Sequence, residues 1–248
     1  IFGSISVAIM GVLGNNRIAF IIGAVLFFIS AIIISTIKSD EIFSNTENRQ
    51  EKYTIFSSMK YIVKNSEILL MTINTTLWNM FTWGSFIVLL PIYVEQNLNN
   101  DSVAYGILNS LQSVGIILAS LIIGLQFISK IKIEKLICLG IIVHCLLLIL
   151  FYFSTNIILS VIILIIAGIA SAPVLIYKAT FFQRKISRKI MGQVLSLILV
   201  LGSILYSLGG IIIAFLIEKI GKEYFSYINL YSLIIIIVIS LISLKKIS

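Results

Sequence analysis

Polar side chains recur at helical spacing inside one long apolar run, residues 68–94, and their chemistry is the first indication of function. Residues three or four positions apart lie on the same face of an α-helix. That face carries Thr72, Thr75, Thr76, Asn79 and Thr82. Hydroxyl and amide groups are costly inside hydrocarbon unless they meet other polar groups or a water-filled cavity. The spacing therefore predicts a helix with one face turned toward a polar cavity.

The pattern continues with Tyr105, Asn109 and Gln112 in residues 103–128, so we expect the cavity to lie between several helices. A small molecule would be held there by hydrogen bonds and aromatic contacts. The candidate cavity residues are Asn74, Thr75, Trp78, Asn79, Thr82, Tyr105, Asn109, Gln112 and Ser171. The alternative is that Asn79, Asn109 and Gln112 only hydrogen-bond one helix to another.

Few ionisable groups could couple such a cavity to an ion gradient. His144 is the only histidine and lies inside an apolar run, whereas Glu95 follows the outer end of residues 68–94. Both are candidates for proton coupling, and the alternatives are a neutral structural histidine and a solvated carboxylate. No Asp or Glu occupies the centre of a full apolar run. A coupling carboxylate is therefore expected in a part of the protein upstream of this sequence.

The elements that position these residues must be membrane-spanning helices. The chain is 59% hydrophobic and only 11% charged, whereas about 25% charged residues is usual in soluble proteins. Crossing the hydrocarbon layer takes about 20 apolar residues in a helix. The apolar runs predict the end of one helix at residues 1–13, followed by seven full spans. These are residues 18–37, 68–94, 103–128, 136–153, 157–177, 192–217 and 224–244.

The distribution of basic residues predicts the direction of the spans. Fifteen of the 18 Lys and Arg fall in every second gap between the runs or in the tail. Short loops rich in Lys and Arg stay on the cytoplasmic side of a membrane. We therefore expect a multi-pass protein of the plasma or inner membrane, with its long polar segment and its C-terminus in the cytoplasm. The net charge of +8 is spread over short loops, which argues against nucleic acid as a partner.

Residues 38–67 form the only long polar segment and divide the chain into three parts. Residues 1–37 are predicted to end an N-terminal bundle, and residues 68–248 to form a six-helix C-terminal bundle. Within the segment, Ile55, Phe56, Met59, Ile62 and Val63 repeat at helical spacing. This pattern predicts a short amphipathic helix on the inner membrane surface. Because the chain begins at Ile1 within an apolar run, we expect it to be a fragment that does not transport alone.

The six helices after the linker are predicted to form two sets of three. Three is odd, so the second set enters the membrane from the opposite side and the two sets form an inverted repeat, which is typical of transporters. Glycines recur in the second helix of each set. Pro173 predicts a kink, which is either a gate hinge or a static bend tolerated by packing. The candidate gating and packing residues are Gly115, Gly124, Pro173, Gly192, Gly202 and Gly210.

Several other chemistries have no support in the sequence. There is no G-x-x-x-x-G-K-[ST] phosphate loop and no H-E-x-x-H motif, so we expect neither a metal site nor a cofactor, and no enzyme activity. Cys138 and Cys145 lie on one face of one apolar run and cannot bridge each other there, so they are interpreted as small apolar side chains. An integral-membrane enzyme or a non-transporting scaffold remains the alternative from a different class.

Two stretches resemble the major facilitator superfamily, in particular its drug and siderophore exporter branch that includes macrolide efflux proteins. The segment Val88-Leu89-Leu90-Pro91-Ile92-Tyr93-Val94, followed by Ala104-Tyr105-Gly106-Ile107-Leu108, is similar to that branch's seventh and eighth helices. The stretch from Thr180-Phe181-Phe182-Gln183 to Gly192-Gln193-Val194-Leu195-Ser196 is similar to its loop between helices ten and eleven. Gln193 and Ser129-Lys130 depart from the branch's pattern, in which an Arg and an Asp-Arg type pair stand at these places.

The resemblance implies twelve helices in the whole protein, of which this chain covers the end of the fifth to the twelfth. It also implies alternating access, with proton-coupled export of small amphipathic, drug-like or macrolide-like molecules. The expected partners are then the small-molecule substrate, protons, the lipid bilayer and the missing N-terminal half of the same protein. The alternatives within transport are an importer and a sugar or siderophore carrier.

Overall fold

The computed structural model describes residues 16–36, 55–98, 102–124 and 131–247, and all regular structure in them is helical. This confirms the predicted all-helical fold class. A 3-10 turn, Lys222–Tyr224, joins the last two helices. The helices are α1 (Asn16–Thr36), α2 (Ile55–Lys64), α3 (Ser66–Asn97), α4 (Ser102–Gly124), α5 (Ile133–Phe153), α6 (Ile157–Lys185), α7 (Met191–Ile220) and α8 (Phe225–Ile247).

Six of the described helices, α3 to α8, are long and apolar enough to cross a membrane. They correspond to the six spans predicted after the linker. Helix α1 contains a shorter apolar stretch, Ala24–Thr36. The side chains of this stretch are exposed. The predicted partial helix at residues 1–13 and most of the linker lie outside the described residues.

Helix α6 is longer than predicted and ends at Lys185 rather than at residue 177. The prediction stopped at the first basic residue, Lys178, although no Gly or Pro follows it before the helix ends. Lys178 and Arg184 are therefore helical residues and not loop residues. The other end of α6 is capped by Asn156, whose Oδ1 accepts from the amides of Ile158 and Leu159, as is common at helix starts.

The packing of α3 to α8 follows the predicted inverted repeat. In each set of three, the second helix packs against the first helix of the other set: α4 against α6, and α7 against α3. The two third helices, α5 and α8, pack on each other. This arrangement is expected of two three-helix units related by a twofold axis.

Paired glycines form both of the equivalent helix crossings. A Cβ at Gly115 would overlap the Ile165 carbonyl oxygen, and one at Gly168 would overlap the Gln112 carbonyl oxygen. At the other crossing, a Cβ at Gly84 would overlap the Tyr206 carbonyl oxygen. Small residues at these points let the backbones approach closely, which is how membrane helices gain packing energy without a hydrophobic driving force.

The contact of Gly209 differs by one residue from the equivalent contact of Gly115 in the other crossing. Gly115 meets the carbonyl three residues before Gly168, whereas Gly209 meets that of Met80, four residues before Gly84. The segment between Met80 and Gly84 belongs to a π-helical stretch, Asn79–Gly84, that interrupts α3. A π-helical turn accommodates an extra residue without breaking the helix. The π-helical stretch thus accounts for the offset between the two halves.

Both ends of α3 form ion pairs, one with α6 and one with the 3-10 turn before α8. At its start, Glu67 Oε2 lies 2.6 Å from Lys185 Nζ at the end of α6, and Glu134 Oε1 lies 3.8 Å from the same ammonium. At its end, both oxygens of Glu95 accept from Lys222 Nζ at 3.0 Å. Apart from Glu134, these side chains are about half exposed, so each pair orients the helix ends more than it stabilises the fold.

Candidate functional site

The predicted cavity residues Asn74 and Trp78 face the interior of the bundle rather than an open cavity. Asn74 is fully buried, and its Oδ1 accepts from Ser240 Oγ of α8 at 2.7 Å. Its amide nitrogen lies 3.5 Å from Cys138 Sγ of α5. Trp78, also buried, donates from Nε1 to His144 Nδ1 of α5 at 3.0 Å. These side chains join α3 to the two third helices, α5 and α8.

His144 is occupied by the contacts that bury it. Its Nδ1 accepts the Trp78 hydrogen bond, so in the neutral ring the proton is on Nε2. The rings of Trp78 and Trp83 lie 5.6 and 6.1 Å away, the second one stacked on the imidazole. A second proton would have to displace the Trp78 donor from Nδ1. His144 is therefore poorly arranged to carry protons, and in this structure it connects α3 to α5.

Replacing His144 is expected to reveal this structural role. His144→Leu leaves the buried Trp78 N–H without an acceptor, which should cost about 1–3 kcal/mol, whereas His144→Asn keeps an acceptor near Nδ1. We expect the thermal unfolding temperature of the purified protein to fall more for Leu than for Asn, although Leu is the more apolar residue. Trp78→Phe combined with His144→Leu should recover part of the loss. Greater stability of the Leu variant would contradict this role.

The remaining predicted hydroxyls bond to backbone carbonyls of their own helices. Thr75 donates to Met71, Thr82 to Trp78 and Ser171 to Gly168, at 2.6 to 2.8 Å, and all three side chains are buried. Such bonds remove the cost of a hydroxyl in an apolar bundle without providing a ligand site. Thr75, Thr82 and Ser171 are therefore packing residues in this structure.

The three predicted cavity residues on α4 differ in how deeply they are buried. Gln112 is 2% exposed, and its Nε2 has no hydrogen-bond partner within the described parts of the chain. Its backbone carbonyl is the one that faces Gly168. Tyr105 and Asn109 are half-buried. On this helix Tyr105 and Asn109 stay near the surface, whereas Gln112 belongs to the α4–α6 crossing.

Asn79 joins α3 to α7, a different neighbour from those of Asn74 and Trp78. It is half-buried, and its Nδ2 donates to the Gly202 carbonyl oxygen of α7 at 3.0 Å. Both residues were predicted from sequence, one as a cavity residue and one as a gating glycine. The structure brings them together at the start of the π-helical stretch.

A polar stripe on α7 was missed by the sequence analysis. Helix α7 is the least buried of the six spans, with 17% of its most apolar stretch buried. One exposed face carries Gln193, Ser196, Ser203 and Ser207, which we call the α7 stripe. Their spacing of three, seven and four residues is visible in the sequence. Serines in an apolar run are a weaker signal than amides, because a serine hydroxyl can donate to a carbonyl of its own helix. Each serine donates to the carbonyl four residues earlier and keeps its oxygen lone pairs available.

A pocket of about 400 Å³ lies at the N-terminal end of the α7 stripe, between α7 and α2. Most of its wall is apolar. Ser58, Gln193 and Ser196 supply polar groups, and this mixture is characteristic of small-molecule sites. The lining residues are Ile55, Ser58, Gly192, Gln193, Ser196, Leu197 and Val200.

The predicted gating and packing residues do not behave alike. Within the described parts of the chain, no atom lies within 4 Å of the place where the Cβ of Gly192 would be, and Gly192 lines the pocket. At Gly210 the nearest atom would be the Gly84 carbonyl oxygen at 3.3 Å, and its neighbour Gly209 makes the closer contact. Gly124 is the last residue of α4. Pro173 lies inside the continuous helix α6 and packs beside Gly140 of α5.

Six apolar helices in two inverted units, with a polar stripe that ends in a pocket, define a polytopic membrane protein built like a transporter. The family model of the Major Facilitator Superfamily matches residues 1–210 and 72–246. The chain belongs to this superfamily, and it is a membrane transporter. No curated protein matches the chain.

Proposed function

We propose that the protein is a secondary active transporter that exports small amphipathic molecules by alternating access, driven by a proton gradient. The observation that carries the proposal is the pocket at the end of the α7 stripe. Its apolar wall suits the body of an amphipathic molecule, and the Ser58, Gln193 and Ser196 side chains suit its polar groups. A sugar would need many more hydrogen-bonding partners than this wall offers.

The basic residues support an orientation with the pocket on the cytoplasmic side. Lys60, Lys64, Arg184, Arg188 and Lys189 are exposed at the membrane side where α2 and the end of α6 lie. By the positive-inside rule that side is cytoplasmic. An export substrate would then enter from the cytoplasm or the inner leaflet, and the membrane would be the plasma or inner membrane.

The two candidates for proton coupling among the described residues are engaged in other contacts. Glu95 pairs with Lys222 at the outer end of α3, and His144 is occupied by Trp78. We therefore propose that the coupling carboxylate lies in the N-terminal half of the protein, which is also the expected partner of this bundle.

A flux measurement tests the proposal. The chain is reconstituted into vesicles together with the N-terminal half of the protein, a pH gradient is imposed, and the movement of a fluorescent amphipathic cation is followed. We expect saturable flux that a protonophore abolishes, because the gradient is the energy source. Flux of sugars or siderophores in the same vesicles, without flux of the cation, would favour the carrier alternative. Absence of any flux, with an intact fold and with the N-terminal half supplied, would contradict transport.

A further inference from the structure

We propose that α2 docks on an anionic phospholipid surface, which makes it a lipid-binding element beside the proposed transport pocket. Helix α2 ends at Lys64, and a single residue, Asn65, separates it from α3. Asn65 has extended backbone angles, φ −102° and ψ 97°, so the chain changes direction between the two helices. Because α3 spans the membrane, α2 lies where the chain leaves the hydrocarbon layer.

The faces of α2 are divided into three sectors. At about 100° per residue, Ser58 and Ile62 fall in one sector and are 4% exposed, since they pack against the bundle. Next to it lies an apolar sector made by Ile55, Phe56, Met59 and Val63, which are 54 to 78% exposed. Lys60 and Lys64, both exposed, occupy the third sector.

This order of sectors fits a helix held in a membrane interface. A bundle contact on one side, an exposed apolar face and lysines at its edge are the features of helices that lie in the headgroup region. Four large exposed apolar side chains on ten residues are unfavourable in water but favourable against acyl chains.

The charge around α2 selects the kind of lipid. Besides Lys60 and Lys64, the exposed side chains of Arg184, Arg188 and Lys189 lie on the same side of the membrane. The carboxylate nearest to α2 in sequence, Glu67, is paired with Lys185. Basic residues next to a membrane attract anionic headgroups by Coulomb forces. The partner is therefore an anionic phospholipid surface rather than a zwitterionic one.

Docking would also act on the pocket, because Ile55 of the apolar sector and Ser58 of the bundle sector both line it. A helix held by the bilayer keeps that wall of the pocket in place. This consequence rests on the proposed function, whereas the docking itself does not.

Depth-dependent fluorescence quenching tests the docking. Met59→Cys places a probe in the apolar sector and Lys64→Cys places one in the basic sector. The native Cys138 and Cys145 are buried, and the unsubstituted chain serves as the labelling blank. With nitroxide-labelled acyl chains, we expect quenching at Met59 to exceed that at Lys64 at least about twofold. Equal quenching at both positions would overturn the proposal, because the apolar and basic sectors would then lie at the same depth.

A second pair of measurements tests the choice of lipid. Quenching at Met59 is compared in phosphatidylcholine vesicles and in vesicles containing one part in three of phosphatidylglycerol. We expect the anionic vesicles to give the stronger quenching, and Lys60→Gln with Lys64→Gln to remove most of the difference, since each lysine near an anionic surface strengthens binding about fivefold. Quenching that is the same in both compositions would overturn the anionic selectivity. Neither outcome depends on transport, so failure here is distinguishable from failure of the flux measurement.

Discussion

A single methyl group at Gly115 or Gly168 is expected to disrupt the packing of α4 on α6. Each Cβ would overlap a backbone carbonyl oxygen of the opposite helix, and a backbone cannot move aside as the end of a side chain can. Overpacking of this kind costs about 1–3 kcal/mol. We expect Gly115→Ala and Gly168→Ala to lower the unfolding temperature of the purified protein and its monodisperse yield. The same change at Gly84 or Gly209 should disturb the crossing of α3 and α7 in the same way.

Gly192→Ala is the matched control, because no atom of the described residues lies within 4 Å of the added methyl group. Its stability should equal that of the unsubstituted protein, or exceed it slightly since alanine favours a helix. If Gly192→Ala were as damaging as Gly115→Ala, the losses would reflect a general intolerance of the chain and not the two crossings.

Filling the pocket between α2 and α7 is expected to weaken substrate binding. Ser196→Trp places a large ring in a space of about 400 Å³ and removes a hydroxyl of the α7 stripe. We expect at least a tenfold loss of affinity for an amphipathic fluorescent cation, equivalent to about 1.4 kcal/mol. The measurement is a binding titration with protein in detergent or in lipid nanodiscs.

Leu199→Trp is the control for this prediction. Leu199 is 66% exposed on the same helix but does not line the pocket. Its replacement should leave the affinity within about twofold of the original value, because the added ring meets no ligand. Equal losses at both positions, or no loss at Ser196, would place the binding site elsewhere.

Membrane spans were the part of the fold that sequence predicted best. Six of the predicted spans reappear as α3 to α8 with ends that differ by a few residues, and α6 is the main exception. The reason is that apolar length and basic gaps are one-dimensional properties, set by the hydrocarbon layer and by its interfaces. The inverted repeat was also accessible, since it follows from the odd number of helices in each set.

The direction in which each polar side chain faces was not accessible from the sequence. Asn74, Trp78 and Asn79 follow one another closely on α3, yet they contact α8, α5 and α7 respectively. Helical spacing places residues on a face but does not say which neighbour that face meets. The stripe of threonines was therefore interpreted as a cavity wall, whereas most of it is buried packing.

By itself, the sequence determined that this protein crosses a membrane many times, on which side its basic loops are expected, and which superfamily it resembles. The tertiary structure alone decided that Gly209 rather than Gly210 closes the α3–α7 crossing, and that the open polar surface belongs to α7. The physical reason is that close backbone contact depends on the exact rotation of two helices about their axes. In α3 that rotation is changed by the π-helical stretch Asn79–Gly84, whose single extra residue no hydropathy pattern records.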